Sequence, residues 1–353
     1  MSKKINIGRI QGTNIIDRQN EIASGNYPHL PLPKFPKYTI GNLRGGVGKT
    51  SLAFNLSYQT DNLLVVDTCP QGNLSYFYDE EYYVNNSTNV RDLILPYLLP
   101  GLGKAKRVAK NISASNPHFG KKKSYYIASS NDLYHLPSQI TTALNQAKSI
   151  PGPQQITAID YILYSLRDEI EREMKEAHLE RCLIDTSPFF AGATHLAWHA
   201  TDALIVPVRT DQQSINSLEL LIDTLSNSNS EFRKNIPSDG HTPKIQLVIL
   251  THCAWSTKSG ARNEPNQQTK MFITKVKDIV DRNIQHFTTE DAENHILLLD
   301  DFLGTGRIST VSSKPISLLN AGDSMRINRV KATVNASVEK VKAQLLYISD
   351  SIW

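Results

Sequence analysis

This chain has few cysteines, no long apolar run and no strong excess of one charge. Its 353 residues include three cysteines, Cys69, Cys182 and Cys253, which lie far apart and form no CxxC pair. A disulfide framework or a zinc site is therefore not expected. The opening residues MSKKINIGRIQGTN have no apolar stretch behind their lysines, and no later window approaches the length of a membrane span. The sequence thus predicts a cytoplasmic protein, and the net charge of +4 does not identify a partner.

The composition, with 40% apolar and 20% charged residues, is that of a globular protein. The length predicts one large domain with additions, or two domains. Residues 1–37 are expected to form an extended, proline-rich N-terminal extension, because YPHLPLPKFPK places four prolines within nine residues and proline fixes φ and removes a donor. We favour a tether packed along the surface over a peptide-recognition ligand. Residues 38–353 are expected to form the main domain.

Strand-like and helix-like segments alternate along this main domain. Short apolar runs predict strands at YTIGNL, NLLVVD, YYIASS, RCLIDT, ALIVPV, IQLVILT and HILLLD. RCLIDT, ALIVPV and IQLVILT lack polar alternation, which is expected when both faces of the sheet are covered. Helical spacing occurs in KTSLAFNLSYQ, around LYHLPSQITTALNQ, over residues 159–170 and in a long C-terminal segment from Val330 to Ile352. The alternation predicts an α/β fold with a mostly parallel, twisted sheet flanked by helices. Functional residues are then expected at the carboxyl ends of the strands.

A basic insertion from Gly101 to about Lys123 interrupts this pattern. It has no acidic residue and carries seven cations, at Lys104, Lys106, Arg107, Lys110, Lys121, Lys122 and Lys123. Such a run is usually a solvated loop. The alternative is a patch that contacts phosphate groups.

The stretch YTIGNLRGGVGKTS predicts a strand, a glycine-rich loop and a helix, which is the context of a phosphate-binding loop. It departs from the template G-x-x-x-x-G-K-[ST] because Leu43 occupies the first glycine position. Backbone amides of such a loop wrap an anion, and the helix N-terminus adds its dipole. Lys49 would bridge the β- and γ-phosphates of ATP, and the Thr50 hydroxyl would bind Mg²⁺. A glycine turn with an accidental lysine is the disfavoured alternative. The predicted nucleotide-binding residues are Gly45, Gly46, Val47, Gly48, Lys49, Thr50 and Ser51.

The segment RGGVGKTS resembles the deviant Walker A motif, KGGxGK[ST], of the ParA/MinD family of ATPases. In that family the first-glycine position is variable, and the next residue is a signature lysine. This lysine reaches the phosphates of the partner subunit across a nucleotide-sandwich dimer. Arg44 occupies the signature position here, and it keeps the charge and adds a planar fork suited to phosphate. The resemblance implies that Arg44 contacts phosphate in the second subunit; a simple surface arginine is the alternative.

Further segments carry the same resemblance from about residue 38 to the end of the chain. LLVVDTCPQGNLSYF resembles the strand and switch of the family, typically D-x-D-P-Q-G-N, and RCLIDTSPFF resembles its Walker B strand. ATDALIVPVRTDQQSINSLELL and GRISTVSSKPI resemble later segments. The likeness implies a P-loop NTPase fold, closest to ParA-like partition ATPases. It also implies that Asp67 and Asp185 hold Mg²⁺ through waters, since magnesium keeps much of its hydration shell.

Cys69 is the sharpest departure from the family pattern. An aspartate at this position positions or activates the water that attacks ATP. A thiol has an unperturbed pKa of about 8.5, so it is mostly neutral at pH 7 and a poor acceptor. A positioned general base contributes roughly 10²–10⁴-fold to a rate. Hydrolysis is therefore expected to be slow or to depend on a partner. The alternative is that Cys69 is only a small buried residue and another group positions the water.

The resemblance implies an ATPase that uses ATP and Mg²⁺, forms an ATP-dependent homodimer and binds DNA without sequence preference. Its expected role is partition or positioning of a plasmid, a chromosome or another large assembly, with a ParB-like or adaptor protein as partner and association with the nucleoid. A second hypothesis is an ATP-bound dimeric scaffold with little turnover. MinD-like positioning at a membrane is disfavoured because AQLLYISDSIW lacks lysine and arginine. Contact with DNA requires clustered cations. The candidates are the basic insertion and Arg307, Lys314, Arg326, Arg329 and Lys331.

Overall fold

A single sheet organises the part of the chain that the computed structural model describes, which comprises residues 13–85, 88–104, 107–190, 192–236, 240–256 and 264–353. Its strands are β1 Lys37–Ile40, β2 Leu63–Asp67, β3 Lys110–Asn111, β4 Ser124–Ile127, β5 Arg181–Asp185, β6 Ala203–Arg209, β7 Lys244–Cys253 and β8 Ile296–Asp300. They are arranged in the order β3-β4-β2-β5-β1-β6-β7-β8. The β3–β4 pair is antiparallel and the other neighbouring pairs are parallel. The predicted mostly parallel sheet is confirmed.

Helices cover both faces of this sheet. They are α1 Thr13–Ala23, α2 Lys49–Gln59, α3 Asn73–Tyr78, α4 Tyr82–Asn85, α5 Val90–Leu98, α6 Leu136–Lys148, α7 Gln154–Leu163, α8 Ser165–Glu176, α9 Ala193–Ala200, α10 Gln212–Ser226, α11 Gln267–Arg282, α12 Leu303–Val311 and α13 Val338–Ile352. Side chains of a strand point alternately to the two faces. Leu63 and Val65 of β2 accordingly belong to the apolar core with α2 and α13, whereas Leu64 and Val66 belong to the core with α5 to α9. This two-sided burial explains the unbroken apolar runs.

The N-terminal segment is not extended throughout, as the sequence had suggested. Residues 13–23 form α1, in which Ile15 and Ile22 are buried. The guanidinium of Arg18 donates to the carbonyl of Ile296, the first residue of β8. The proline-rich stretch that follows also buries Leu30 and Leu32 in the core. The expectation fails for α1 because the prolines begin only at residue 28, which leaves the preceding turns free to be helical. Residues 1–12 lie outside the described part.

The C-terminal helix is shorter than its periodicity predicts. Helix α13 begins at Val338, and the residues before it form an antiparallel hairpin of β9 Ser324–Ile327 and β10 Val330–Thr333. Val330 therefore lies in a strand, and Val334 follows that strand. Apolar residues do recur at three- and four-residue steps, but in β9 and β10 the alternation of every second residue determines the structure.

The basic insertion is a solvated loop only in part, because residues 108–119 pack on the domain whereas residues 101–104 and Lys121 are exposed. Val108, Ile112 and Phe119 are buried, and β3 adds an edge strand to the sheet. Internal partners hold several of the lysines: Lys104 pairs with Glu169, Lys122 pairs with Asp61, and Lys123 donates to the carbonyl of His178. The predicted cation Lys106 lies outside the described residues. Across the described residues, no helix has the length and apolar character needed to cross a bilayer.

Candidate nucleotide-binding site

The glycine-rich loop joins the end of β1 to the start of α2 at the carboxyl edge of the sheet. Gly48 caps α2 with φ of +93°, a conformation that residues with a Cβ rarely adopt. The first amides of a helix have no carbonyl partner within the helix. Lys49, Thr50 and Ser51 thus present free N–H groups, together with the helix dipole, to the space above the loop. The predicted succession of strand, loop and helix is present.

Two side chains from neighbouring elements hold the loop in place. The Asn42 amide donates to the carbonyl of Pro207 in β6 at 2.8 Å, and its oxygen accepts from the backbone N–H of Arg44 at 3.0 Å. On the other side, the Thr251 hydroxyl at the end of β7 donates to the carbonyl of Val47 at 3.0 Å. The loop is therefore supported before any anion binds, which lowers the cost of ordering it around a ligand.

Lys49 is the buried cation of the loop, with 7% of its surface exposed. Its Nζ donates to the carbonyl of Asn42 at 3.0 Å and to that of Arg44 at 2.7 Å. Burial lowers the pKa of Lys49, and the nearby Asp185 carboxylate opposes this effect. A phosphate above the loop would supply stronger, charge-assisted acceptors than two neutral carbonyls. The position fits the role predicted for this lysine.

Thr50 and Asp185 form the part of the site that fits a magnesium ion. The Thr50 hydroxyl donates at 2.8 Å to Oδ2 of Asp185, which is the last residue of β5. Oδ1 of Asp185 is buried and has no hydrogen-bond partner within the described residues. An unpartnered buried carboxylate oxygen is costly, and a hydroxyl with a carboxylate is the hard oxygen donor set that Mg²⁺ prefers. The two residues would hold the ion or its waters.

Asp67 lies beside Asp185 but is already engaged by the switch segment. The two residues are direct neighbours in the register of β2 and β5. One oxygen of Asp67 accepts from the backbone N–H of Cys69 at 3.0 Å, and the other accepts from the N–H and the hydroxyl of Ser75, both at 2.8 Å. Asp67 therefore fixes the course of the chain through residues 67–75. Its predicted part in holding Mg²⁺ would act through a water.

Burial raises the pKa values of this carboxylate pair, that of Asp185 to about 7, with the negative charge of Asp67 as the second cause. The folded state then binds protons more tightly than the unfolded chain, whose aspartates titrate near 4. Protonation of the two carboxyl groups therefore adds to the free energy of unfolding below pH 4, and this addition is lost as the pH rises to about 7.

We expect Asp185→Asn to remove part of this pH dependence, because the amide has no proton to lose and still accepts from Thr50. Thermal unfolding of both proteins in EDTA, from pH 4 to pH 8, should show the variant gaining stability relative to the native chain as the pH rises. Asp278→Asn, at an exposed position of α11, is the control. A stability difference that does not change with pH would contradict the prediction.

Cys69 is buried at the turn that follows β2, with 5% of its surface exposed. Burial and then the Asp67 charge raise the pKa of the thiol to about 12. The group is therefore neutral at pH 7 and does not replace a carboxylate as a base. Gly72, in the same turn, cannot be replaced without movement, because a Cβ there would lie 1.9 Å from the Tyr82 hydroxyl oxygen.

Arg44 does not point freely away from the protein, as a contact with a second subunit would require. Its guanidinium pairs with the Asp211 carboxylate and donates to the Ser214 hydroxyl at 2.7 Å. Asp211 also caps α10 by accepting from the backbone N–H of Ser214 at 2.9 Å. The predicted site residues Lys49, Thr50, Asp67, Cys69 and Asp185 converge, whereas the side chain of Arg44 is held on α10.

A cavity of about 500 Å³ adjoins the loop, and sequence reasoning missed most of its wall. Gly46, Gly48 and Ser51 line one side. Thr251 and His252 near the end of β7 and residues 299–303 after the start of β8 form a second part, and the remainder comes from α2, Phe77, residues 306–311 of α12 and Ile327 of the hairpin. The rule that ligands bind beyond the carboxyl ends of parallel strands could have found the residues at β7 and β8, because both strands were predicted. The size suits a small-molecule ligand beside the anion site.

Comparison with known proteins agrees with this site. A family model described as AAA domain matches residues 37–237, which is more than half of the chain. The chain belongs to the ParA/MinD family of P-loop ATPases. The matched residues include the glycine-rich loop, the switch segment and the strand that ends at Asp185. The predicted family is confirmed.

Relatives of this ParA/MinD family member are distant in sequence. The chromosome partitioning protein ParA of Caulobacter vibrioides is 22% identical over 274 residues, covering 74% of this chain and 86% of that protein. An ATP complex of McdA from Cyanothece has a TM-score of 0.53 with 14% identity, covering 90% of this chain and 97% of that one. A plasmid partition protein of Borrelia burgdorferi bound to AMPPNP has a TM-score of 0.51, also with 14% identity, and covers 91% and 100%. The two solved structures support the fold.

Proposed function

We propose that this protein is a ParA-like ATPase that binds Mg²⁺ and ATP, forms an ATP-sandwich homodimer and acts in the partition or positioning of DNA or another large assembly. The observation that carries the proposal is the 2.8 Å contact between the Thr50 hydroxyl and Asp185, at the first turn of the helix after the loop. In support, the Asp185 carboxylate keeps one unpartnered oxygen, and its charge acts on the pKa of Lys49, whose buried ammonium bonds to backbone carbonyls of the loop. These groups match the needs of a magnesium-bound triphosphate.

The biological role is proposed from the relatives. The Caulobacter protein is named for chromosome partitioning, and the Borrelia structure is named as a plasmid partition protein with a bound ATP analogue. By analogy, the present chain would bind DNA without sequence preference and work in the cytoplasm, associated with the nucleoid. A ParB-like or adaptor protein would be its activating partner.

A second candidate function is an ATP-bound dimeric scaffold with little turnover. The neutral, buried thiol of Cys69 favours it, because that position lacks the carboxylate expected in the family. Both candidates share ATP binding and dimerisation, and they differ in the rate of hydrolysis.

The shared part is tested by measuring ATP binding calorimetrically and mass by light scattering, with Mg²⁺ or with EDTA. We expect one ATP per protomer and a mass that doubles from 39.5 kDa with Mg²⁺ and ATP. Thr50→Val, which keeps the shape of the side chain and removes the hydroxyl, should weaken the effect of Mg²⁺. Absence of ATP binding would refute the proposal, whereas binding without a change of mass would refute the dimer alone.

Arg44→Ala is expected to weaken the ATP-bound dimer while sparing ATP binding by the monomer. A symmetric homodimer contains this contact twice, and loss of each charge-assisted contact costs about 1.5–3 kcal/mol, so the dimer dissociation constant should rise about 10²- to 10⁴-fold. Arg209→Ala is the matched control, since Arg209 lies 3.8 Å from the same Asp211 carboxylate. Sedimentation with a non-hydrolysable ATP analogue gives the dimer dissociation constant of each variant. If the two variants dimerise equally well, Arg44 makes no contact with the second subunit.

A further inference from the structure

The hairpin of β9 and β10 presents two different faces. Met325, Ile327 and Ala332 are partly buried and pack against the apolar core that contains α13. Alternation then directs Ser324, Arg326, Lys331 and Thr333 to the other face, where all four are exposed. The outer face consists of two hydroxyls and two cations.

The two cations of this face are placed against each other. Arg326 and Lys331 are direct partners in the register of the hairpin. Like charges at directly opposed positions destabilise a two-stranded ribbon. No ion pair relieves either charge within the described part of the chain. Asp323, the adjacent acid in the sequence, accepts from the backbone N–H of Asn320 instead. The free protein thus leaves a repulsion that an anion would relieve.

A third cation occupies an unfavourable backbone position at the tip of the hairpin. The connecting turn consists of Asn328 and Arg329, whose φ angles are +48° and +70°. A two-residue turn with both φ angles positive favours Asn-Gly, because glycine meets no steric penalty there. Arg329 is exposed and has no ion pair among the described residues. The chain therefore keeps an arginine where glycine would be more stable, and such strain points to function.

The basic insertion offers fewer free charges than its sequence suggests. Lys104 and Lys122 pair with acids of the same chain, and Lys123 bonds to a backbone carbonyl. An anion would have to compete with these partners. The hairpin cations have no such partners within the described residues. The hairpin is therefore the better candidate for binding an anion, although the insertion carries more cations.

We propose that the outer face of residues 324–333 binds the phosphate backbone of DNA. The inference rests on the DNA-binding part of the proposed function and identifies the surface responsible. Cations and hydroxyls are the groups that contact DNA phosphates, and they carry no sequence information. An anionic membrane would call for several apolar side chains among the cations, but Met325, Ile327 and Ala332 lie on the opposite face, which leaves Val330 as the exposed apolar residue of the hairpin.

The test measures affinity for a fluorescent duplex by anisotropy, with Mg²⁺ and an ATP analogue, between 50 and 300 mM salt. The hairpin variant combines Arg326→Gln, Arg329→Gln and Lys331→Gln. The control combines Lys121→Gln, Lys122→Gln and Lys123→Gln and removes the same net charge. We expect the hairpin variant to lose at least about tenfold in affinity at low salt, and its salt slope to fall by about one unit per cation. The control should lose clearly less affinity than the hairpin variant, because Lys122 and Lys123 have internal partners and Lys121 alone is an exposed cation without one among the described residues.

A second variant separates binding from folding. Arg329→Gly is expected to weaken DNA binding while the melting temperature stays unchanged or rises, since glycine suits the turn. A residue with only a structural role would not show these opposed changes.

Three outcomes would overturn the inference. If the native protein binds DNA and the hairpin and insertion variants weaken it equally, the contact is not localised to the hairpin. If the ATP-bound dimer forms but does not bind DNA, both this inference and the DNA-binding part of the proposed function fail, while the nucleotide site stands. If the hairpin variant loses binding to vesicles rich in phosphatidylserine but keeps its affinity for DNA, the surface serves a membrane instead.

Discussion

Replacing Cys69 with aspartate is expected to raise steady-state phosphate release from ATP by about 100-fold or more, the usual contribution of a positioned general base. The native thiol is neutral because burial and the neighbouring Asp67 charge raise its pKa to about 12. It therefore neither accepts a proton from water nor orients a water as a carboxylate does. An aspartate would restore a strong acceptor at the turn that Asp67 already holds through the N–H of Cys69.

The same substitution should lower the stability of the nucleotide-free protein. A third carboxylate would join Asp67 and Asp185 in a buried space, and like charges without a counter-ion destabilise a folded state. The Lys49 ammonium already balances part of this charge in the free protein, and the Mg²⁺ that binds with ATP would add a further counter-ion. A lower melting temperature in EDTA, recovered with Mg²⁺ and ATP, is therefore expected together with the faster turnover.

Phosphate release should be measured with duplex DNA present, beside Cys69→Asn as the control. Asparagine has almost the shape of aspartate but is not a base, so it should leave turnover near the native rate. Slow native turnover that only the aspartate accelerates would favour a switch held in its ATP state, awaiting a partner or acting as a scaffold. Native turnover that matches or exceeds that of the aspartate variant would mean that another group positions the water, and a cycling ATPase would be the better description.

The predictable part of this molecule is the part specified by local pattern. All strands of the sheet except β3, and the loop before Lys49, were recognised because apolar runs and glycines act over a few residues. Thr50 was assigned to Mg²⁺ from the loop and Asp185 from the family resemblance, and the structure brings both to the edge of the sheet where parallel strands end. These residues are distant in sequence, but the topology that joins them is common to the fold class.

The contacts that sequence reasoning missed depend on tertiary packing. No pattern near Arg44 indicates that Asp211 would bind it, because that pairing requires α10 to begin beside the loop. The hairpin had a readable signal, since Met325 and Ile327 alternate with polar residues before an Asn-Arg turn. Helical spacing from Val330 onward suggested a competing interpretation, and only packing of the hairpin against the core decides between them.

Lys49→Ala is expected to weaken ATP binding by about 100-fold or more and to abolish the ATP-dependent dimer. The ammonium is the buried cation nearest the expected phosphates, and charge-assisted hydrogen bonds to two phosphate groups are each worth about 1.5–3 kcal/mol. Part of the effect would come from the loop itself, because Nζ ties the carbonyls of Asn42 and Arg44 together. A small drop in melting temperature without nucleotide is therefore also expected.

Lys37→Ala is the matched control, because Lys37 lies at the end of β1 that is remote from the glycine-rich loop. Its side chain is only 13% exposed, and its Nζ contacts Glu171 at 3.0 Å. The control should cost stability without changing ATP affinity, which calorimetry with Mg²⁺ and ATP would show. If Lys49→Ala bound ATP and dimerised like the native chain, the glycine-rich loop would not be the phosphate site. The contact between Thr50 and Asp185 would then need an explanation other than magnesium, and the proposed function would lose the observation on which it rests.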